Sequence, residues 1–471
     1  MEIVARKNEI ELLDSIVDSG LPEFVAIYGR RRVGKTFLIR NYFKERFSFY
    51  ASGVNNRPKK DQLKSFQNKL LEYGCEKKSV PSDWFDAFDR LRAILESDSV
   101  YKDPATNRRV VFLDEVPWMD GKRSDFRAAL DLFWNTWAST QEDLLLIICG
   151  SATSWIIKYV IKDTGGFYNR VTNQIHLLPF SLGECEVFAS KRKLNLTRRQ
   201  IMEYYMVFGG IPYYWSLLFR NQSPMQNVQR LLFEDNGALH NEYPSLFRSL
   251  FSVKGPHRQI VEILGKRAGG MVRKEIIDSG VQAGKSLSSA LEELVECGFL
   301  RRFYHIGKKE RDSAYQLIDP FVLFALNFLG GKVTEWSAFY GTPAYFSWTG
   351  HAFETLCLNN IKAIKRSLGI SGVVTNEYSW RSSKSVPGAQ IDLVIERRDG
   401  VINVCEMKYA EGSFAISPKY ETDLRNKLNA FRLETGTKDA LHLTLVVSGE
   451  FARNANADIV ISFVVGEELF A

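Results

Sequence analysis

The feature that most constrains the fold is a glycine-bounded loop between an apolar run and a helical pattern near the N-terminus. The run FVAIY ends at Tyr28, and GRRRVGKT (29–36) leads into the helical stretch TFLIRNYF. The spacing GxxxxGK[ST] between a strand and a helix is the pattern of a phosphate-binding loop. Glycines let backbone N–H groups turn toward a phosphate, and a helix N-terminus favours the anion. The sequence therefore predicts a nucleotide-binding α/β domain that begins at this strand.

The residues of this loop are the candidate ATP contacts. Lys35 is expected to reach the β- and γ-phosphates, and the Thr36 hydroxyl is expected to ligate Mg²⁺. ATP and Mg²⁺ are therefore the predicted cofactors. The predicted nucleotide-binding residues of this segment are Gly29, Arg30, Arg31, Arg32, Val33, Gly34, Lys35, Thr36 and Phe37.

A second apolar run, RVVFLDE, ends in two carboxylates, Asp114 and Glu115. The carboxyl ends of parallel strands lie at one edge of a sheet, so this pair is expected beside the loop. Asp114 is predicted to hold Mg²⁺. Glu115 is predicted to be the catalytic base that orients and polarises the attacking water.

Two further polar residues follow the next apolar run. Ser151 ends LLLIICGS, where it would either contact the γ-phosphate or cap a helix at the strand exit. Arg170 lies in a glycine-led loop, where it would either stabilise the transferred phosphate, in cis or across a subunit interface, or face solvent. Both alternatives stay open for each residue.

The pattern along the chain predicts an α/β protein of several domains. Apolar runs alternate with helical stretches in the first third, which indicates a parallel sheet covered by helices. Helical periodicity follows, and then three short helices and a hairpin typical of a winged helix-turn-helix. The predicted segments are a P-loop ATPase core (1–180), a helical lid (181–255), the winged helix (256–320), a linking segment (321–345) and a second α/β domain (346–471).

Charge in the winged segment suggests DNA as a partner. The chain has a net charge of +7, which favours polyanions. Phosphate contacts would come from the start of the third helix, at Lys285, and from the basic residues of the wing. Packing against the ATPase core, or pairing of subunits, is the alternative use of this segment. The basic wing residues are Arg301, Arg302, Lys308, Lys309 and Arg311.

Composition narrows the class of protein further. No stretch approaches about 18 uncharged apolar residues, and the first residues mix charged and apolar positions at helical spacing. We therefore expect no membrane partner and a cytoplasmic location. Six scattered cysteines without CxxC pairs indicate reduced thiols rather than disulfides or zinc ligands.

Several of these motifs together resemble one family. The segments GRRRVGKT, FLDEVPWMD, CGSATSW, LLPFSLGE and GGIPYYW span about residues 1–220 and are similar to the archaeal-type ATPases of the AAA+ and signal-transduction NTPase group. The resemblance implies that the segment 6–9 lies close to the adenine and that Gly209, Gly210 and Pro212 form a lid feature near the nucleotide. It also implies a winged helix and a further domain.

The C-terminal domain resembles a second family. Asp392 in QIDLVIE, followed by Glu406 and Lys408 in VINVCEMKY, matches the D…ExK pattern of the PD-(D/E)xK fold, which is restriction-endonuclease-like. The resemblance implies that Asp392 and Glu406 bind Mg²⁺ and that Lys408 positions or activates the attacking water. Glu354, in the helix GHAFETLC, matches the acidic residue that the first helix often contributes. The alternatives are a hairpin with a surface Glu–Lys pair, or a fold retained for binding without cleavage.

Two functional hypotheses follow from these patterns. The first is an ATP-hydrolysing, DNA-associated enzyme in which the nucleotide state controls the winged helix and a nuclease-like domain. The second is a regulatory ATP switch that acts through protein partners, with a catalytically inert C-terminal domain. Besides ATP, the candidate partners are DNA, a second copy of the chain and another protein. The joint presence of Glu354, Asp392, Glu406 and Lys408 favours the first hypothesis.

Overall fold

The chain divides into two compact units in a computed structural model. The structure describes residues 2–121, 124–151, 153–161, 170–251, 255–382 and 388–470, without the side chains of Thr153, Ser249 and Arg311. The first unit is Met1–Leu178, here called the nucleotide unit, and the second is Pro179–Ala471, here called the C-terminal unit. No helix in the described ranges is long and apolar enough to cross a bilayer.

The nucleotide unit is built on a parallel five-stranded sheet. Its strands are β1 (Glu23–Tyr28), β2 (Phe49–Ser52), β3 (Arg109–Asp114), β4 (Leu144–Gly150) and β5 (Asn173–His176). The strand order is β2-β3-β4-β1-β5, and every pair is parallel. β3 and β4 are buried along their whole length, as expected for strands covered on both faces. β4 lies between β1 and β3. Ser151, which follows β4, is therefore placed between the phosphate-binding loop (29–36) and the pair Asp114–Glu115.

Helices and an aromatic core support this sheet. The helices are α1 (Lys7–Val17), α2 (Lys35–Tyr42), α3 (Lys59–Glu72), α4 (Trp84–Leu95), α5 (Val116–Met119), α6 (Phe126–Thr136) and α7 (Thr153–Ile156). Trp84 of α4 is fully buried, and its ring meets Phe126 of α6 edge-on at 4.9 Å. Aromatic rings in such contacts combine large buried area with a fixed geometry, so this face of the sheet is firmly packed.

The C-terminal unit begins as a helical region and contains most of the helices. They are α8 (Leu182–Lys191), α9 (Arg198–Phe208), α10 (Pro212–Ser216), α11 (Pro224–Val228), α12 (Glu242–Leu250), α13 (His257–Leu264), α14 (Arg273–Asp278), α15 (Lys285–Glu296), α16 (Pro320–Phe328), α17 (Trp336–Phe339), α18 (Pro343–Asn359), α19 (Ile361–Ser367) and α20 (Pro418–Thr435). Ser181 and Thr197 begin α8 and α9 with reciprocal capping boxes, which satisfy otherwise unpaired N–H groups. The segment 321–345, predicted to be a linking segment, contains helices, and the buried Trp336 belongs to its aromatic core.

A small antiparallel sheet accompanies α13, α14 and α15. Its strands are β6 (Met271–Val272), β7 (Leu300–Phe303) and β8 (Ala314–Leu317), in the order β6-β8-β7. The turn between β7 and β8 carries the exposed Lys308 and Lys309. This segment of three helices and three strands is called the 257–317 segment below.

The last part of the C-terminal unit is a mixed five-stranded sheet. Its strands are β9 (Thr375–Arg381), β10 (Gln390–Arg397), β11 (Val401–Lys408), β12 (Ala440–Val447) and β13 (Ser462–Val465), in the order β13-β12-β11-β10-β9. β9, β10 and β11 pair antiparallel, whereas β11, β12 and β13 pair parallel. α20 makes the crossover from β11 to β12, as a parallel pair requires.

The structure corrects the expected role of Arg301. Its Nε donates to Gln316 Oε1 at 2.6 Å, and its Nη2 donates to Ser379 Oγ of β9, also at 2.6 Å. The Ser379 hydroxyl in turn donates to the main-chain oxygen of Asp392 at 2.8 Å. Arg301 therefore joins β7 to the C-terminal sheet and is not a free phosphate contact. Arg302 pairs with Glu310 at 2.8 Å, and the side chain of Arg311 lies outside those described.

Candidate functional site

The phosphate-binding loop has a backbone that only glycine suits at two positions. Gly29 has φ 145° and Gly34 has φ 94°, both in the left-handed region. A Cβ at Gly29 would lie 2.2 Å from the main-chain oxygen of Leu177, so this strand exit has no room for a side chain. Gly34 caps α2, which begins at Lys35. The loop and the N-terminus of α2 therefore have the form that the sequence pattern predicts.

Lys35 is held inside the loop by main-chain oxygens. Its Nζ donates to the carbonyl of Gly29 at 2.8 Å and to that of Arg30 at 3.0 Å. The side chain is buried, with 5% exposure. An ammonium that carbonyl oxygens hold at the loop is suited to bind a phosphate anion.

The remaining loop residues differ in exposure. Arg30 and Val33 are buried, Arg31 and Arg32 are half-buried, and Phe37 has 38% exposure on α2. Arg6 reaches the loop from the start of α1, where its Nη2 donates to Val33 O at 3.1 Å. The segment that the family resemblance placed near the adenine thus supports the loop backbone.

Thr36 and Asp114 provide adjacent oxygen atoms for a cation. Thr36 Oγ1 donates to Asp114 Oδ2 at 2.9 Å, although β3 is separated from β1 by β4. Asp114 is 4% exposed, and its Oδ1 accepts from the Glu115 N–H at 3.0 Å. A hydroxyl and a carboxylate are the hard oxygen ligands that Mg²⁺ prefers. These two residues fit the magnesium ion that accompanies a nucleotide.

Glu115 is bound by Ser151 across the end of the sheet. Ser151 donates to Glu115 Oε2 through its N–H at 3.1 Å and through its Oγ at 2.9 Å. Glu115 has φ 49°, a left-handed conformation that is uncommon for a residue with a side chain. Burial raises the pKa of the Glu115 carboxyl, while the Ser151 bonds and Lys35 oppose that rise. The predicted γ-phosphate contact, Ser151, is thus a partner of the predicted base.

Arg170 is exposed and lies shortly before β5. Residues 162–169, which precede it, lie outside the described ranges. Its role at the transferred phosphate stays a prediction.

A second group of charged residues lies in the C-terminal sheet. Asp392 of β10 and Glu406 of β11 are both buried, with exposures of 8% and 3%. Asp392 Oδ2 accepts from the Met407 N–H at 3.0 Å. Burial raises the pKa of Asp392 well above its ordinary value, and the nearby carboxylates of Glu406 and Glu354 add to the rise. Glu354, Asp392, Glu406 and Lys408 are called the carboxylate site below.

Two lysines neutralise Glu406. Lys427 Nζ of α20 donates to Glu406 Oε1 at 2.8 Å and to Oε2 at 2.7 Å, and Lys408 Nζ lies 3.3 Å from Oε1. Lys408 also lies over the Tyr420 ring, 4.9 Å from its centroid. Lys427 was not among the residues predicted from the sequence. A signal was present, because Lys427 lies three residues after the buried Leu424 and four before the buried Phe431, on the inward face of a helix.

Glu354 of α18 is connected less directly to the other carboxylates. Its Oε1 lies 3.4 Å from His351 Nδ1, and this contact is the main cause of a raised pKa at His351. In the described parts of the chain, no group of three or more His, Cys, Asp or Glu residues is arranged to hold a metal ion. With both Glu406 oxygens bound by Lys427, the carboxylate site does not fit a metal ion in this arrangement.

Comparison with known proteins identifies the first domain. Residues 3–218, just under half of the chain, match the model of a family described as an ATPase domain predominantly from Archaea. This part of the chain is therefore similar to an archaeal-type ATPase domain, in agreement with the loop and the parallel sheet. The match ends before the 257–317 segment and the C-terminal sheet.

Other similarities extend over more of the chain. MJECL04, an uncharacterised protein of Methanocaldococcus jannaschii, is 24% identical over 333 residues, covering 69% of this chain and 68% of the relative. The Walker-type ATPase paby2304 of Pyrococcus abyssi is 20% identical, with a TM-score of 0.49 and coverage of 69% and 96% of the two chains. The ORC2 protein of Aeropyrum pernix, in ADPNP–ADP complexes, is 14% identical, with a TM-score of 0.43 and coverage of 69% and 93%.

Proposed function

We propose that this chain is an ATP-hydrolysing, DNA-associated protein in which the nucleotide state controls a winged helix and a nuclease-like domain. The observation that carries the ATPase part is the convergence of Lys35, Thr36, Asp114 and Glu115 at one edge of the parallel sheet. The family match over residues 3–218 agrees with it.

The proposed roles in ATP hydrolysis follow from these contacts. The loop N–H groups and Lys35 bind the phosphates, and Thr36 with Asp114 holds Mg²⁺, which when bound neutralises charge on the phosphate oxygens. Glu115 accepts a hydrogen bond from the attacking water once its carboxylate turns from Ser151. Arg170 contributes positive charge toward the transferred phosphate, in cis or from a second copy of the chain.

DNA association is proposed from the 257–317 segment, which we interpret as a winged helix. Lys285 lies exposed at the start of α15, and Lys308 and Lys309 lie exposed in the turn between β7 and β8. Exposed lysines at a helix start and a wing are positioned to contact phosphate in this kind of domain. The net charge of +7 acts in the same direction.

The nuclease-like role is proposed from the carboxylate site. Asp392, Glu406 and Lys408 lie on adjacent antiparallel strands, with Glu406 and Lys408 3.3 Å apart. A buried pair of carboxylates beside a lysine is costly for stability and is common at functional sites. We assign Lys408 to positioning the attacking water at a phosphodiester.

A second candidate is a regulatory ATP switch that acts on a protein partner, with an inert C-terminal domain. The observation that favours it is Lys427, which donates to both oxygens of Glu406. A carboxylate bound in this way is satisfied without any further ligand.

One experiment tests both parts of the proposal. ATP turnover should be abolished in Lys35→Ala and kept in Lys60→Ala, an exposed lysine of α3. Cleavage of plasmid, linear and single-stranded DNA, with Mg²⁺ and with or without ATP, should be lost in Asp392→Ala and Lys408→Ala. Normal turnover in Lys35→Ala would reject the phosphate site. Intact ATP turnover with no cleavage of any DNA would favour the switch.

A further inference from the structure

The proposed function leaves one residue beside the carboxylate site unexplained, namely Lys427. Lys427 Nζ lies 2.8 Å and 2.7 Å from the two oxygens of Glu406, which places one ammonium symmetrically between them. The Lys427 side chain is 22% exposed, and that of Glu406 is 4% exposed. A two-oxygen contact with a single cation is also the way a carboxylate binds a divalent metal ion bidentately.

The position of Lys427 on its helix is unusual for a structural lysine. Leu424 and Phe431, which flank it on the same face of α20, are fully buried. Leucine or methionine would suit the apolar packing of this face but would leave the buried Glu406 carboxylate without this partner, which is costly. The Lys427 ammonium hydrogen-bonds to Glu406 and lies near enough to Asp392 to interact with that carboxyl, so the carboxylates account for the lysine.

The charges around Glu406 also disfavour the entry of a divalent ion. Lys408 approaches Oε1 at 3.3 Å, so one carboxylate faces two ammonium groups. A divalent ion that entered beside Glu406 would meet these like charges and would find both oxygens occupied. Electrostatic repulsion at such short range is substantial in a buried site.

We propose that Lys427 is a built-in cation of the carboxylate site, which a divalent metal ion must displace from Glu406 in order to bind. This inference rests on the proposed nuclease-like function, and it gives Lys427 a role at the two Glu406 oxygens that this function would use. Displacement needs only rotation of a flexible lysine side chain toward solvent or toward a phosphate group of DNA.

The test is Mn²⁺ binding by the full-length chain without nucleotide, followed through the electron paramagnetic resonance signal of free Mn²⁺. The Mn²⁺ binding that is lost in Asp392→Ala is assigned to the carboxylate site. Lys427→Met should tighten that part by at least about tenfold, the effect of removing one charge-assisted competitor. Lys427→Arg keeps the positive charge and should bind no more tightly than the wild type.

Controls separate the failure of this inference from that of the proposed function. Lys419→Met removes an exposed lysine from the same helix and should leave Mn²⁺ affinity unchanged. Where Lys427→Met does not fold, as judged by circular dichroism, Lys427→Gln keeps a donor for Glu406 without the charge and should show the same tightening. Equal affinity in wild type and Lys427 variants, with binding still dependent on Asp392, overturns the displacement and keeps the nuclease-like site. Absence of Asp392-dependent binding in every variant overturns both.

Discussion

At the scale of single residues, the contact between Glu115 and Ser151 fixes the position of the predicted catalytic base. The Ser151 N–H and Oγ both donate to Glu115 Oε2, so two hydrogen bonds hold the predicted base. Glu115→Gln should therefore keep ATP binding and lower turnover by about 100-fold or more, because the amide cannot accept a proton. Nucleotide binding by fluorescence and phosphate release measure the two effects separately. Wild-type turnover in this variant would assign the base to another residue.

The same contact makes a prediction about stability. Ser151→Ala removes the Oγ donor from a largely buried carboxylate and leaves the backbone N–H, which should cost about 1–2 kcal/mol of the free energy of unfolding. Urea denaturation with nucleotide absent measures this cost. The cost should shrink in the Glu115→Gln background, where the acceptor is neutral. An equal cost in both backgrounds would show that Ser151 stabilises the nucleotide unit through another contact.

At the scale of elements, β7 contacts β9 through Arg301, and the loop that follows β7 contacts β9 through His305. His305 Nε2 lies 3.1 Å from the main-chain oxygen of Ser379, and burial lowers the pKa of His305. A histidine held neutral in the folded state takes up its proton more readily when unfolded, so stability is lost as the pH falls below about 6.5, the ordinary histidine pKa. His305→Gln should flatten this acid limb of the C-terminal unit's stability profile. The midpoints of urea denaturation between pH 5 and pH 8 measure this loss of stability. If the loss at acid pH is the same in His305→Gln, other titrating groups cause it.

Elements and motifs with local signals were predictable from the sequence, whereas contacts between distant elements were not. The loop at 29–36 and the pair Asp114–Glu115 each follow a continuous apolar strand, so both motif and context lie in one short segment. Arg301 was expected in a solvated wing because its partner, Ser379, is 78 residues away on another sheet. Lys427 was missed for a similar reason, since its role appears only when α20 folds over β11.

At the scale of the whole molecule, segments that read as separate domains after residue 180 form one compact unit. The pairs that join them connect distant parts of the chain: the Leu182 N–H donates to Asn360 Oδ1 at 3.2 Å, and Arg199 pairs with Glu411 at 3.3 Å. The 257–317 segment also shares a buried cluster with the C-terminal sheet, which contains Phe303 and Ala314 together with Tyr378 and Val394. Loss of one buried contact between these parts should therefore lower the free energy of unfolding of the whole C-terminal unit.

The division into two units predicts how the chain unfolds and where ATP acts. Scanning calorimetry should show two transitions, because each unit has its own core. Non-hydrolysable ATP analogue with Mg²⁺, at about 100 times its dissociation constant, should raise only the transition of the nucleotide unit, by about 5–10 °C, through preferential binding to the folded form. Lys35→Ala should abolish this shift, while Arg301→Ala should lower only the other transition. If the nucleotide raises both transitions together, the units unfold as one cooperative body, and binding energy at the loop is then available to the carboxylate site.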